Sequence, residues 1–176
     1  ISWLDGTESA LGQVTQSLQR ARELAVTGAN EVLDPLQRQN IAQEVAQIFS
    51  TVLDLGNAKH GGRYLFAGFA VLTKPFVTAA TPAGYAYQGD AGLLELELGA
   101  NATVAPNTPG TRVFPQALTA VRDLQLALQA SDMAGIRNSL SVLDTALDEA
   151  ACTLEAYQWQ GELDRLAALG YDPRFL

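Results

Sequence analysis

Residues 34–62 read DPLQRQNIAQEVAQIFSTVLDLGNAKHGG, and their spacing decides the fold. Asp34 is a helix-capping residue, and Pro35 suits the first helical position, where a missing N–H is no loss. Ile41, Val45, Ile48, Val52 and Leu55 then recur at four, three, four and three. That spacing lays a narrow apolar seam along one helix face and suits long antiparallel packing against a neighbour. It predicts a helix that starts at Asp34-Pro35 and is closed by Gly61-Gly62.

On the N-terminal side, Leu11, Val14, Leu18, Ala21 and Ala25 recur at threes and fours, while Gln13, Gln16, Gln19, Arg20 and Glu23 fall off the stripe. This is an amphipathic helix. Asp5 with Glu8 three residues later has the pattern of a capping box, and Gly28 and Asn30 end the helix.

On the C-terminal side the pattern changes. From residue 63 to about 114 the chain is rich in proline, glycine and threonine. Tyr64-Leu65-Phe66 and Tyr85-Ala86-Tyr87-Gln88 are short strand candidates. Leu94-Glu95-Leu96-Glu97-Leu98 alternates strictly, which sends leucines to a core and glutamates to water. Gly99-Ala100-Asn101 supplies the turn to Thr103-Val104. Helical spacing returns near Pro115, with Phe114, Leu118, Val121 and Leu128 on one face and Leu124 close to it. Ser131-Asp132 interrupts and recaps. A last long helix carries Ile136, Leu140, Leu143, Leu147, Ala150, Leu154 and Tyr157, continues toward Leu163 and Leu166, and stops by Asp172-Pro173. The fold class is therefore mainly α: an elongated antiparallel helical bundle, or rod, from residues 1–62 and 113–176, with a small inserted β-domain at 63–112.

The chain has 176 residues and a formal net charge of −8, enough for one domain with a core and a small insertion. Net negative charge makes it a poor partner for nucleic acid. No stretch approaches the ~18 apolar residues that span a bilayer, so membrane insertion is not expected. Cys152 and His60 each stand alone, which leaves no internal disulfide and no cysteine- or histidine-based zinc site. His60, beside Lys59 and Arg63, reads as a helix-end or surface residue. Asp144, Asp148, Glu149 and Glu155 avoid the leucine stripe of the last helix and read as a solvated face. Cys152 reads as inert among apolar neighbours. Tyr87-Gln88-Gly89-Asp90 is too sparse for a calcium loop and reads as a turn at a strand end. Gly61-Gly62-Arg63 lacks the Gly-Lys-Ser/Thr ending of a phosphate loop. No convergent acid, base or nucleophile set is present, so an enzyme is not expected and no cofactor is implied.

The stretch Thr7-Glu8-Ser9-Ala10-Leu11, then Leu18-Gln19-Arg20-Ala21-Arg22-Glu23-Leu24-Ala25-Val26 and Ala29-Asn30, resembles the first rod helix of bacterial flagellins and their relatives. Gly62-Arg63-Tyr64-Leu65-Phe66-Ala67-Gly68 with Pro75-Phe76 resembles the flagellar hook-associated protein 3 family, the hook–filament junction proteins of the flagellin superfamily. Tyr87-Gln88-Gly89-Asp90, Leu98-Gly99, Val104, Asn107, Pro109-Gly110 and Val113-Phe114 follow that family's insertion in order. Leu140 through Leu147, with Leu143-Asp144 and Ala146-Leu147-Asp148, resembles the returning rod helix. The likeness spans roughly residues 3–150 and thins beyond.

The resemblance implies a structural, exported subunit of the extracellular flagellum that joins hook to filament. It implies hook-associated protein 1 and flagellin as partners, self-association in the intact flagellum, and an export chaperone for the full-length protein. The residues that carry the likeness, Leu18, Arg20, Arg22, Glu23, Leu24, Tyr64 through Gly68, Tyr87 through Asp90, Leu143 and Leu147, are expected to serve packing. Ile1-Ser2-Trp3-Leu4-Asp5 reads as the middle of a longer protein that would supply the axial coiled-coil ends, so the chain alone is expected to be monomeric. Two other readings stay open: filament flagellin, against which Tyr64-Leu65-Phe66-Ala67-Gly68 argues, and a surface-binding module using Tyr64, Phe66, Tyr85 and Tyr87. A glycan array without binding would remove the latter.

Overall fold

The computed structural model describes residues 2–93, 96–99, 102–104 and 107–168. Helix α1 spans Ser2–Gly28 and α2 spans Pro35–Gly56. Short strands follow: β1 (Lys59–His60), β2 (Arg63–Tyr64), β3 (Phe76–Thr78), β4 (Tyr85–Tyr87), β5 (Leu96–Gly99) and β6 (Ala102–Val104). Helices α3 (Phe114–Gln129) and α4 (Met133–Ala168) complete the order. Each helix packs against its sequence neighbours, and α4 returns onto α1 to close the bundle. At 1.5 Å per residue the 36-residue α4 is about 54 Å long.

The α1 stripe works as the spacing predicts. Leu11, Val14, Leu18, Ala21 and Ala25 are fully buried in one core shared by all four helices. Each fully buried leucine contributes roughly 1.5–3 kcal/mol. Off that stripe, Gln158 of α4 donates to Glu8, and Arg22 pairs with Asp144. In both pairs the residue numbers sum to 166, as antiparallel helices in one fixed register require. Arg20 forms a second tie on the α2 side, donating to Glu44.

Asp5 is not a cap. The helix is already running at Ser2, because Trp3 and Leu4 pack against the core and extend it backward. Thr7 donates to the Trp3 carbonyl one turn earlier. Asp34 does cap α2: it accepts from Gln37 N–H at 2.7 Å, while the Gln37 side chain accepts from Asp34 N–H. The buried Arg38 then reaches back to the carbonyls of Gly28 and Asn30. It thereby serves the C-terminal end of α1, where carbonyls lack helical partners and positive charge is favoured.

The α2 seam is wider than a single stripe. Val45, Ile48 and Val52 are buried, but Ile41 and Leu55 lie at the margin and Ala42, Phe49, Leu53 and Gly56 are buried instead. This helix faces α1 on one side and α3 on the other, so its apolar face spreads around the cylinder. It also stops at Gly56, before Gly61-Gly62, with Asn57 at its end. Gly61 and Gly62, at φ of 55° and 81°, form the two-residue turn of the β1–β2 hairpin. Such a turn takes two left-handed residues and so favours glycine at both positions.

Tyr64-Leu65-Phe66 is not one strand. Only Arg63–Tyr64 pairs, after which Leu65 and Phe66 dive into the core. Strands β3 and β4 pair antiparallel with Phe76 opposite Tyr87, and β5 and β6 pair with Leu96 opposite Val104. The facing of the leucines and glutamates in residues 94–98 lies outside the described residues, as do the side chains of Leu163 and Leu166 and the stop at Asp172-Pro173.

In α3, Phe114, Leu118, Val121, Leu124 and Leu128 are all fully buried. Ser131 turns the chain at φ 51°, and Asp132 caps α4 by accepting from Ala134 N–H. Along α4, Ile136, Leu143, Ala150 and Tyr157 are buried, while Leu140, Leu147 and Leu154 sit half-buried at the edge. Ser139 and Ala146 are buried as well. These small residues let α4 approach both α1 and α3.

Candidate functional site

One group of the residues singled out by sequence, Leu65 through Gly68 with Tyr87, Gly89 and Asp90, meets where the segment after the β1–β2 hairpin packs on the helices. Phe66, Phe76 and Phe114 are fully buried there. The Phe66 and Phe114 rings meet edge to face with centroids 4.8 Å apart, and Phe76 lies 5.1 Å from Phe114 and 5.0 Å from Tyr87. Such pairs add roughly 0.5–1.5 kcal/mol beyond their buried area. Two glycines make the room. A Cβ on Gly56 would stand 2.7 Å from the Phe76 ring, and one on Gly110 would meet both that ring and the Phe66 carbonyl.

Asn57 locks this hub to α2. Its amide donates to the Phe76 carbonyl at 2.8 Å, and its side-chain oxygen accepts from Phe76 N–H at 2.9 Å. The side chain thus pairs with β3 as a neighbouring strand would. Sequence reading missed Asn57, because its partner lies 19 residues away and a lone Asn after a helix signals only a cap. Asn57→Ala is expected to cost about 2–3 kcal/mol in a denaturant melt, since both Phe76 backbone groups lose their partner. A melt matching the parent would remove the clamp.

Asp90 organises the far side of the hub. Its carboxylate accepts from Phe69 N–H at 2.7 Å and Gly92 N–H at 2.8 Å. Those backbone donors hold the carboxyl below its ordinary value. The folded value is the depressed one, so this stabilisation is present above the ordinary range and is lost as pH falls through the folded value. Acidification below about pH 4 should therefore loosen this turn, with the Phe69 and Gly92 amide resonances titrating together. Asp90→Asn should abolish that titration. Amides that move equally in the variant would exclude this cause. Gly68, at φ 70°, leaves no space for a Cβ beside Asp90. Tyr87 Oη lies 2.9 Å from both the Phe66 and Asp90 carbonyl oxygens, and its one proton serves one at a time. Burial pushes the Tyr87 and Tyr157 hydroxyls up. Tyr157 of α4 hydrogen-bonds Thr108, joining the last helix to the segment that enters α3.

The hub gathers Leu65, Phe66, Ala67, Gly68, Tyr87, Gly89 and Asp90; Gln88 is exposed at its edge and Tyr64 half-buried in β2. Leu18, Leu24 and Leu143 belong to the helical core, with Leu147 at its margin. Arg20, Arg22 and Glu23 are exposed on α1, where the two arginines tie it to α2 and α4. His60 is half-buried in β1 rather than at a helix end. Cys152 is exposed, because its apolar sequence neighbours turn away to the core on a helix. Of the four α4 carboxylates, Asp144, Asp148 and Glu155 are exposed and Glu149 is half-buried, and Asp144 also pairs with Arg22. Among the described residues no cluster of three His, Cys, Asp or Glu could hold a metal, and no helix is long and apolar enough to cross a membrane.

Helices α1 and α2, the β1–β2 hairpin and the entry into the hub lie in a stretch similar to a known family. Residues 1–70 match the bacterial flagellin N-terminal helical region. The chain is 31% identical over 108 residues, 61% of its length, to flagellar hook-associated protein 3 of Escherichia coli. The matched part is 33% of that protein, so the chain spans about a third of the length of this relative. The flagellar junction protein FlgL of Legionella pneumophila is 32% identical, with a TM-score of 0.58 over 64% of this chain and 35% of that one. Over nearly the whole chain the fold follows FlgL of Bacillus cereus, with a TM-score of 0.81 covering 96% of this chain and 82% of that one at 24% identity. Over part of its length the chain is thus similar to flagellar hook-associated protein 3, and its first 70 residues are similar to the flagellin N-terminal helical region.

Proposed function

We propose that this chain is part of a hook–filament junction subunit, an extracellular structural element of the flagellum with no enzymatic activity. The observation that carries the reading is the 31% identity to hook-associated protein 3 over 108 residues. The architecture supports it: a long keyed bundle with a compact insertion is suited to bearing load between neighbours, and its polar outer faces leave room for contacts. In this reading the neighbours are hook-associated protein 1 on one side and flagellin on the other, the full-length protein is escorted by an export chaperone, and the chain alone is monomeric in dilute solution.

The likeness-bearing residues divide the work: Leu18, Leu24, Leu143 and Leu147 pack the rod of residues 1–62 and 113–176, while Leu65 through Gly68 and Tyr87 through Asp90 dock the insertion at 63–112. Limited proteolysis should cut first within that insertion; first cuts within α1 or α2 would contradict the division. Immunogold electron microscopy of intact flagella tests the function. Gold confined to the hook–filament boundary is the expected result. Gold along the whole filament would make the chain a flagellin, and an unlabelled flagellum would end the flagellar reading.

A further inference from the structure

The charges are distributed unevenly. Between Leu55 and Gly89 there is no acidic residue, yet Lys59, Arg63 and Lys74 are all exposed there. The backbone brings them into one patch. Lys59 and Arg63 stand on the two strands of the β1–β2 hairpin, and Tyr64 N–H bonds the Val71 carbonyl, drawing the loop that holds Lys74 against β2. Leu72, in that same loop, is 81% exposed. On α4 the opposite holds. Asp148, Cys152, Glu155 and Trp159 recur at four, three and four, and all four are exposed, Trp159 by 73%. Among the described residues none of these three cations and neither of these two carboxylates forms an ion pair. Lys59 lies over the Tyr64 ring, 4.3 Å from its centroid, which holds the ammonium on the hairpin surface. Each patch thus joins exposed charge of one sign, without an ion pair among the described residues, to a large exposed apolar side chain, and the two signs are opposite.

We infer that the basic hairpin patch of one copy docks on the acidic, tryptophan-bearing stripe of α4 on a second copy. The inference deepens the junction-subunit reading and rests on it for holding copies side by side. Two different surfaces of one chain meet in such a contact, so it propagates into a ring or an open array rather than closing a two-fold dimer. The patches are small, so the contact is weak between free chains, below the ~1,000 Å² of a stable interface. It is also sensitive to salt, because the charges are exposed.

Carbodiimide cross-linking of the chain at high concentration and low ionic strength tests this, since the reagent joins lysines to carboxylates in contact. Cross-links from Lys59 or Lys74 to Asp148 or Glu155 between copies are expected, and they should fade in high salt. K59E/R63E/K74E, and separately D148K/E155K, should each lower the cross-linked fraction about tenfold. Mixing the two variants should restore it, because each then presents what the other lacks. Circular dichroism equal to the parent confirms that the variants fold. Absence of such links in the parent, links through other residues, or no recovery on mixing of folded variants would each overturn the contact. None of those results bears on where the protein sits in the flagellum, which the immunogold experiment reads separately.

Discussion

Leu143→Asp should unfold the bundle. Leu143 is fully buried on α4 within the shared core. Its replacement forfeits roughly 1.5–3 kcal/mol of burial and puts a carboxyl where no partner awaits it. The carboxylate must either stay charged in an apolar site, at several kcal/mol, or take a proton against its ordinary equilibrium. Together these losses rival the whole ~5–15 kcal/mol stability of a domain this size. Loss of the cooperative thermal transition in far-ultraviolet circular dichroism is the expected outcome. Leu147→Asp is the paired control, because Leu147 is half-buried and its carboxylate could reach water. An unchanged melt for Leu143→Asp would remove this residue from the seam.

Phe76→Ala should do nearly as much damage, in a different place. Phe76 touches Phe114, Tyr85 and Tyr87, and its backbone is the one clamped by Asn57. Truncating a buried phenylalanine costs about 3–5 kcal/mol. Part of the lost energy holds β3 and β4 against the helices. Amide hydrogen exchange should therefore accelerate more at Tyr85–Tyr87 than in the middle of α1. Uniform acceleration along the chain would mean that the hub and the bundle unfold as one unit. A melt within about 1 kcal/mol of the parent would mean that the site collapses around the missing ring.

The helices were legible because one periodicity sufficed. Leu11, Val14, Leu18, Ala21 and Ala25 in α1, and Phe114, Leu118, Val121, Leu124 and Leu128 in α3, are buried as their spacing predicts. The reading blurred where a helix faces two neighbours, as in α2, since a stripe drawn through Ile41 and Leu55 misses Phe49 and Leu53. It failed at ends, where side chains acting over distance decide. Trp3 and Leu4 carry α1 past Asp5, and Asn57 stops α2 while gripping Phe76. In the insertion, strands of two to four residues are too short for alternation to register, and Phe66 is buried from a turn rather than from a strand. Of the hub, the aromatic residues and Tyr87-Gln88-Gly89-Asp90 were visible through resemblance. Asn57, Gly56 and the Thr108–Tyr157 link were not, because each has meaning only beside a residue far away in sequence.

The constant sum of 166 along α1 and α4 has a mechanical consequence. A slip of α4 by one turn would displace it by about 5.4 Å, separating Arg22 from Asp144 and Glu8 from Gln158 at once. These ties are exposed and individually weak. Their value is positional, since they mark the alignment in which Leu143, Ala146 and Ala150 share one core with the α1 seam. Under axial shear the two helices act as a keyed joint, in which resistance comes from the apolar teeth and the charged pairs set where those teeth engage.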